Sequence, residues 1–249
     1  MNEYIRAAKL IKNSKLTVAF TGAGISVESG IPTFRGKDGL WSKYNPEILD
    51  IDFFIQNPKE SWLKIKEIFY DYMKNVKPNL AHIFLAELEK KNLLKAIITQ
   101  NIDNLHQEAG SKNVIEFHGT AKKLNCLNCY QKYDVNEINL NILPPICPKC
   151  KGLLKPDFVF FKEPIPTDAF NKSIEYANKA EVMLVIGTTG EIIPASEIPK
   201  IAKQNGAKII EINIEESNYT NTITDIFLKE KATVAAKKLK EAMEIIGCN

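Results

Sequence analysis

Two short polar segments of this chain carry side chains suited to acid–base and amide-binding chemistry. Gln100-Asn101-Ile102-Asp103 follows the apolar run Lys95–Thr99, and His118 follows a second apolar run, Val114–Phe117. Amides and a carboxylate together can orient an amide group or a water molecule, and a histidine can take up a proton near neutral pH. The plainer alternatives are an Asn/Asp helix cap for the first segment and a structural role for the lone histidine.

A glycine-rich turn after the first apolar run suits the binding of a phosphate group. Leu16–Thr21 leads into Gly22-Ala23-Gly24-Ile25-Ser26, where two glycines allow a tight turn with its N–H groups against an anion, and a helix is expected to start just after. Val27 stands where a third glycine is usual in dinucleotide sites, so an ordinary turn is the alternative. Phe34 and Arg35 follow in a Pro/Gly-containing loop that could close over a cofactor or could be a plain surface loop.

Four cysteines form two pairs, Cys126-x-x-Cys129 and Cys147-x-x-Cys150, and Cys248 lies alone near the C-terminus. Paired two-residue gaps let four thiolates close a tetrahedral shell around one structural zinc ion, with no open position for a catalytic water. Disulfide bonds are the alternative, and the cytoplasmic location expected below argues against them. The lysines around these pairs form no ordered basic face, so direct nucleic-acid binding is not indicated.

Composition is that of a globular enzyme of ordinary size. The 249 residues are 45% hydrophobic, and 33 basic against 30 acidic residues give a net charge of +3 without long like-charged blocks. This charge balance gives no indication that the protein binds nucleic acid or an acidic membrane surface. The N-terminal residues lack the apolar run of a signal peptide, and no segment approaches a membrane span. We therefore expect a cytoplasmic protein without membrane partners.

The apolar runs alternate with amphipathic segments, which is the pattern of a doubly wound α/β fold with a parallel sheet. A small zinc module over about Thr120–Leu154 is expected to interrupt it. The predicted strands are Leu16–Thr21, Lys95–Thr99, Val114–Phe117, Phe158–Phe161, Val182–Ile186 and Lys208–Ile212. The predicted helices are Glu3–Lys12, Pro78–Lys91, Thr167–Ala180 and Pro194–Gln204, with a further helical segment over Trp62–Lys74.

Taken together, the glycine turn, Thr33-Phe34-Arg35, the 100–103 segment, His118-Gly119, the cysteine pairs and Gly187-Thr188-Thr189 resemble the sirtuin family of NAD-dependent protein deacylases in order and spacing. The resemblance covers about residues 10–240. It implies a Rossmann-like large domain (about 1–35, 75–119 and 155–249) and a small domain made of a helical part (about 36–74) and the zinc module (120–154). NAD, as a co-substrate, and an acyl-lysine protein or peptide would meet in the cleft between them.

The resemblance also implies roles for individual residues. His118 would be the general base, with Asn101 and Asp103 holding the nicotinamide carboxamide while the acyl oxygen attacks the ribose. His118 would then deprotonate a ribose hydroxyl that attacks the intermediate, and water would complete the reaction, so that the products are nicotinamide, free lysine and O-acetyl-ADP-ribose. The NAD-binding residues carried over are Gly22, Ala23, Gly24, Ser26, Phe34, Arg35, Gln100, Asn101, Ile102, Asp103, Gly187, Thr188, Thr189, Asn213, Ile214 and Ala232.

On the substrate side, the resemblance implies that the segment containing Val159, Phe160 and Phe161 pairs with the peptide backbone and lines an acyl-lysine tunnel. Two positions depart from the family pattern, Lys162 where glycine is frequent and Glu191 where an apolar residue is usual. Family members that remove succinyl or malonyl groups carry Tyr-x-x-Arg, whereas this chain has Tyr70 and Met73. Methionine cannot pair with a carboxylate, so neutral acyl groups, acetyl first, are expected.

Three other activities compete with this interpretation. An NAD-linked oxidoreductase would need a longer glycine fingerprint and an acidic residue about 20 positions further on for the ribose. A non-enzymatic binding protein would use the zinc module and would not turn over NAD. Mono-ADP-ribosyl transfer could accompany deacylation, because it uses the same activated cofactor.

Overall fold

The computed structural model describes residues 2–34 and 39–247. Within these residues the strands are β1 (Thr17–Thr21), β2 (Ala96–Thr99), β3 (Val114–Glu116), β4 (Gly119–Cys126), β5 (Lys132–Asp134), β6 (Leu154–Phe158), β7 (Val182–Ile186), β8 (Lys208–Asn213) and β9 (Ile226–Lys229). The α-helices are α1 (Asn2–Asn13), α2 (Ile51–Gln56), α3 (Pro58–Ile65), α4 (Leu80–Lys90), α5 (Leu105–Glu108), α6 (Thr167–Lys179), α7 (Glu197–Gln204) and α8 (Ala232–Ile245).

Six strands form one parallel sheet in the order β3-β2-β1-β7-β8-β9. Every residue of β1, β2 and β7 is buried, as expected for strands covered on both faces. Helices α1, α4 and α8 pack together over one face, and α6 and α7 pack over the other. The predicted doubly wound α/β fold is therefore confirmed.

The order of the strands reverses between β1 and β7, because the chain proceeds to β2 and β3 on one side and to β8 and β9 on the other. At such a reversal the loops that leave the carboxyl ends of neighbouring strands diverge and open a crevice, which is where ligands bind in this class of sheet. The glycine turn leaves β1 here, and Gly187 leaves β7.

A second sheet, antiparallel and in the order β5-β4-β6, carries the four paired cysteines on and between its strands. Its apolar face shares one hydrophobic cluster with α2, α3 and the turns that follow them. Trp62 is fully buried in this cluster, and its indole N–H donates to the Leu154 carbonyl at 2.8 Å. The helical segment and the cysteine-bearing sheet thus pack as one layer beside the parallel sheet.

Some predicted elements differ from the observed ones. The predicted strand Phe158–Phe161 is wrong, because β6 ends at Phe158 and belongs to the antiparallel sheet. The sixth parallel strand is instead β9, which the sequence analysis missed. The segment after Gly22 is a 3₁₀ helix, Ala23–Ser29, and the chain from Trp62 continues from α3 into a π-helical stretch, Lys66–Asp71, and a 3₁₀ turn. No helix within the described ranges is long and apolar enough to cross a bilayer.

Candidate active site

The glycine turn lies directly against Gly187 at the carboxyl ends of β1 and β7. The Gly24 N–H donates to the Gly187 carbonyl at 2.8 Å, and the Gly22 N–H donates to the Ile186 carbonyl at 2.9 Å. A Cβ on Gly24 would lie 2.6 Å from the Gly187 Cα, and a Cβ on Gly187 would lie 2.4 Å from the Ile25 nitrogen. Gly187 also has a φ of +64°. Glycine is therefore required on both sides of the crevice, where backbone approaches backbone.

Beneath this turn, Ser26 and the segment after β2 form a buried hydrogen-bond network. The Asn101 amide donates to the Gly22 carbonyl at 3.1 Å and to Ser26 Oγ at 3.2 Å. Ser26 Oγ donates to Asp103 Oδ2 at 2.7 Å, and Asp103 Oδ1 accepts from the Leu105 N–H at 3.0 Å. Burial raises the pKa of Asp103 despite these bonds. The predicted Asn101 and Asp103 are thus brought together with the glycine turn.

His82, on α4, extends the same network. Its Nδ1 accepts the backbone N–H of Asn79 at 3.3 Å, so the ring proton resides on Nε2, which faces Ser26 Oγ at 3.4 Å. Burial lowers the pKa of His82 to about 4, so the ring is neutral at pH 7. The sequence signal for this role is weak: a histidine among the apolar residues of a helix pattern.

A second buried histidine, His106 on α5, lies behind His82 with ring centroids 4.9 Å apart. Its Nε2 is 2.9 Å from Thr21 Oγ1, which donates to Thr99 Oγ1 at 2.9 Å, and Thr99 Oγ1 accepts the Asn101 N–H at 3.1 Å. Burial holds the pKa of His106 well below its usual value. The carboxyl ends of β1 and β2 are therefore joined through side chains as well as through the sheet.

His118 is the only one of the three histidines at the edge of the crevice. Its Nδ1 lies 3.0 Å from the Gln100 carbonyl oxygen, which can only accept, so Nδ1 carries the proton and Nε2 has a free lone pair. Burial lowers the pKa of His118, and the bond to Gln100 opposes this shift in part. The following Gly119 has a φ of +75°, and a Cβ there would lie 2.2 Å from the Asp157 carbonyl oxygen. This geometry provides a neutral, oriented base.

A group of aromatic side chains lies beside the crevice. Phe34 is half-buried, with its ring centroid 5.5 Å from Trp41 and 6.4 Å from Phe69. The same hydrophobic cluster includes Ile102, Phe160 and, partly buried, Tyr70 and Met73. It joins the predicted nicotinamide pocket to the predicted acyl-binding residues. Arg35 lies outside the described residues.

The segment after β6, which the sequence analysis assigned to peptide binding, is held by backbone and side-chain bonds. Val159 N–H donates to the His118 carbonyl at 2.9 Å, and Phe160 N–H donates to Glu163 Oε2 at 2.7 Å. Glu163 also pairs with buried Lys155 at 2.9 Å, and Lys155 Nζ lies 4.0 Å from the Phe160 ring centroid. Burial lowers the pKa of Lys155. Phe161, in contrast, is exposed.

The four paired cysteines place their sulfur atoms within 4.8 Å of one another. The Sγ atoms of Cys126 and Cys150 are 3.4 Å apart and those of Cys129 and Cys147 are 3.7 Å apart. These separations exclude disulfide bonds and are close to the roughly 3.8 Å edge of a tetrahedral zinc–thiolate site. The N–H groups of Asn128 and Cys129 point at Cys126 Sγ, as thiolate ligands require. The four cysteines therefore fit a structural zinc site in which thiolates fill all four ligand positions.

The remaining predicted residues divide into two groups. Gln100 Nε2 donates to Thr188 Oγ1 at 3.1 Å, and Asn213 Nδ2 donates to the Thr188 carbonyl at 3.1 Å, so these residues join the crevice. Thr189 is exposed beside them. The Ile214 N–H donates to Asn213 Oδ1 at 3.0 Å, whereas in the described part of the chain no hydrogen bond or ring contact connects Ala232 to this group. Ile214 is exposed at the end of β8, and Ala232 is buried at the start of α8.

Comparison of the sequence with known proteins points to one family. The model of the Sir2 family matches residues 22–194. An NAD-dependent protein deacylase of Pyrococcus furiosus is 47% identical over 96% of this chain and 98% of its own length. An NAD-dependent protein deacetylase of Thermotoga maritima is 41% identical over 93% of this chain and 95% of its own length.

Solved structures agree over nearly the whole chain. A Sir2 variant with a deacetylated p53 peptide and 3′-O-acetyl ADP-ribose has a TM-score of 0.89 at 40% identity, covering 95% of this chain and 96% of its own. A Sir2 homologue variant with ADP-ribose has a TM-score of 0.92 at 40% identity, covering 98% of both chains. Sequence, fold and crevice lead to one conclusion: the chain belongs to the Sir2 family.

Proposed function

We propose that the protein is an NAD-dependent protein-lysine deacetylase that releases nicotinamide, free lysine and O-acetyl-ADP-ribose. The observation that carries the proposal is His118, a neutral histidine with a free Nε2, held by Gln100 at the mouth of the crevice formed by β1 and β7. The identities and full-length coverage of the deacylase relatives support it.

NAD supplies the ribose carbon that the acyl oxygen attacks and the nicotinamide that leaves. Gly22, Ala23 and Gly24 would lie along its phosphates at the start of the 3₁₀ helix, with Ser26 beneath them. The Gly22 and Gly24 N–H groups already donate to the Ile186 and Gly187 carbonyls, so the glycines would provide room for close approach, and Ala23 would offer the backbone N–H. Gln100, Ile102, Thr188 and Asn213 follow neighbouring strands and would continue the site toward nicotinamide and adenosine. The wider set proposed for NAD adds Phe34, Arg35, Gly187, Thr189, Ile214 and Ala232 to these residues.

Asn101 and Asp103 would hold the carboxamide of nicotinamide, and His118 would remove a proton from a ribose hydroxyl. The buried bonds from Ser26 fix Asp103, and the bond from Asn101 to Gly22 fixes the amide, so neither group has to reorganise during the reaction. Burial keeps His118 neutral at pH 7, the form that a base requires.

The acyl-lysine would enter on the other side, along Val159, Phe160 and Phe161. Within residues 2–34 and 39–247, the Val159 carbonyl and the Lys162 N–H have no hydrogen-bond partner, although their neighbours do. Free backbone groups on an irregular edge suit pairing with an extended peptide. The cleft would separate a large domain (about 1–35, 75–119 and 155–249) from a small one (about 36–74 and 120–154).

Neutral acyl groups are the proposed substrates because the apolar cluster offers Tyr70 and Met73 and no guanidinium at the position that would meet a distal carboxylate. Burial raises the pKa of Tyr70, so its hydroxyl stays protonated. We expect catalytic efficiency on acetyl-lysine to exceed that on succinyl-lysine by at least about tenfold, the effect of one lost charged hydrogen bond. Met73→Arg should narrow this ratio, whereas Met73→Leu should leave it unchanged.

One zinc ion per chain, held by Cys126, Cys129, Cys147 and Cys150, would have a structural role. Thiolates that bind zinc must stay reduced, which supports a cytoplasmic location.

The test is mass spectrometry of an acetyl-lysine peptide incubated with NAD and the protein. Equal amounts of nicotinamide, deacetylated peptide and O-acetyl-ADP-ribose are expected, and His118→Ala should abolish them. Phe170→Ala is the matched control, because Phe170, like His118, packs against Phe117 but offers no base. Loss of NAD with ADP-ribosylated peptide as the product would instead establish a transferase. No turnover of NAD with acetyl or longer acyl peptides would refute the proposal.

A further inference from the structure

Lys162 adopts a backbone conformation that lysine rarely takes. Its φ is +72°, in the left-handed region where a side chain is strained and glycine is favoured. Its side chain is 60% exposed, yet Nζ lies 2.8 Å from Asp50 Oδ2 and 2.8 Å from Asp52 Oδ2. These ion pairs raise the pKa of Lys162 and lower that of Asp50. We call Lys162, Asp50 and Asp52 the Lys162 tether.

The tether lies over a backbone junction between two separate parts of the chain. Phe161 N–H donates to the Leu49 carbonyl at 2.8 Å, and Ile51 N–H donates to the Phe161 carbonyl at 3.3 Å. Asp50 also caps α2 through Oδ1, which accepts from the Asp52 and Phe53 N–H groups. One lysine therefore ties residues 159–163 to the first turn of α2.

Residues 159–163 are also held by contacts on the side of β6. Glu163 forms an ion pair with Lys155 and accepts a hydrogen bond from the Phe160 N–H. Between these anchors lie the free Val159 carbonyl and Lys162 N–H. A peptide that pairs with them binds more tightly when they are already ordered, because less conformational entropy is lost on binding.

We propose that the Lys162 tether orders the peptide-binding segment, so that Lys162 is a positioning residue that sets the Michaelis constant for the acyl-lysine peptide. The proposal rests on the proposed function. The tether does not contact the glycine turn or His118, so the Michaelis constant for NAD and the turnover number are independent of it.

Steady-state kinetics with an acetyl-lysine peptide of uncharged flanking residues test this role. Lys162→Met should raise the peptide Michaelis constant about two- to fivefold, the range expected for breaking exposed ion pairs, with kcat unchanged. Asp52→Asn, which leaves the Asp50 cap intact, should raise it in the same direction, and the double variant should show less than the product of the two effects. Lys162→Arg should restore the low value. Added salt should raise the Michaelis constant of the unchanged protein but not of Lys162→Met.

Lys172→Met is the matched control, because it breaks an exposed lysine–aspartate pair, with Asp168 on α6, away from the segment. An unchanged peptide Michaelis constant in Lys162→Met would overturn the proposal. An effect of Lys162→Met that neither Asp50→Asn nor Asp52→Asn reproduces would also overturn it, since the lysine would then act on the peptide directly and not through its two aspartates.

Hydrogen–deuterium exchange gives a reading that does not depend on activity. Amides of residues 159–163 should exchange faster in Lys162→Met than in the unchanged protein, and equal rates would refute the tether. Absence of deacylation by the unchanged protein, in contrast, would refute the proposed function and leave the exchange result to decide on the tether.

Discussion

Protonation of a single buried histidine should make the stability of this protein fall steeply below pH 6.5. His82 has no solvent exposure, and burial lowers its pKa to about 4, whereas an unfolded histidine titrates near 6.5. At pH 5 the unfolded chain binds a proton at this position and the folded protein does not. The free energy of unfolding therefore decreases as the pH falls through this window.

The magnitude follows from the two pKa values. Integrating the difference in proton binding from pH 7 to pH 5 gives a loss of about 2 kcal/mol from His82 alone. None of the ring's direct partners carries a negative charge that would offset this loss, since they are the Asn79 N–H, Ser26 Oγ and the neutral ring of His106.

The assay is urea unfolding followed by circular dichroism at pH 7 and pH 5, with zinc present, for the unchanged protein and His82→Asn. Asparagine can retain one polar contact but does not titrate, so the variant should lose about 2 kcal/mol less than the unchanged protein between the two pH values. His118 and the thiolates contribute equally to both proteins and cancel. The pKa of His106 is lowered mainly by burial and in part by His82, so removing His82 adds a little to the relief. His118→Asn is the matched control and should give less relief, because the bond to Gln100 offsets part of its shift. Equal losses in the unchanged protein and His82→Asn would refute the reasoning.

Three further predictions follow from the geometry of the site. The acid limb of the pH profile of kcat/KM should lie below pH 6.5, because burial lowers the pKa of His118 and the base must be neutral; a limb above pH 7 would contradict this. Gly187→Ala should lower the melting temperature far more than Gly206→Ala. Both glycines have a positive φ, which costs alanine about 1–2 kcal/mol of backbone strain. Only at Gly187 would the added Cβ also meet backbone, 2.4 Å from the Ile25 nitrogen, whereas a Cβ on Gly206 meets no atom within 4 Å. Similar shifts for both would show that the close approach to Ile25 is unimportant. Cys147→Ser should abolish binding of one zinc per chain, measured by metal analysis after dialysis, while Tyr130→Ala, an exposed change between the cysteine pairs, should retain it.

The parts of the fold that the sequence predicted are those whose stabilising contacts are encoded locally. The β1 and β7 segments are mostly apolar runs, which are typical of strands buried on both faces of a parallel sheet. The glycine turn and the two Cys-x-x-Cys pairs are also short-range patterns. The spacing within each motif is enough to predict a tight turn and a pair of thiolates that face one ion. These features were predictable because no distant residue had to be known.

The errors arose where distant partners determine the structure. Phe158–Phe161 is apolar and aromatic, as a strand would be. After Phe158, however, the next three N–H groups go in turn to His118, Glu163 and Leu49, so the ladder does not continue. The missed strand β9 is only four residues long and ends in an exposed lysine. Its position is set by pairing with β8, which its own composition does not reveal.

The same dependence on partners decides which histidine acts as the base, and composition alone could not have settled it. His82 uses both ring nitrogens, one to accept from Asn79 and one toward Ser26. His106 directs one nitrogen at Thr21 and buries the other without a partner. At His118 a backbone carbonyl fixes the proton on Nδ1, which leaves Nε2 unprotonated at the crevice. A base needs a lone pair that a substrate can reach, and of the three rings only His118 has one.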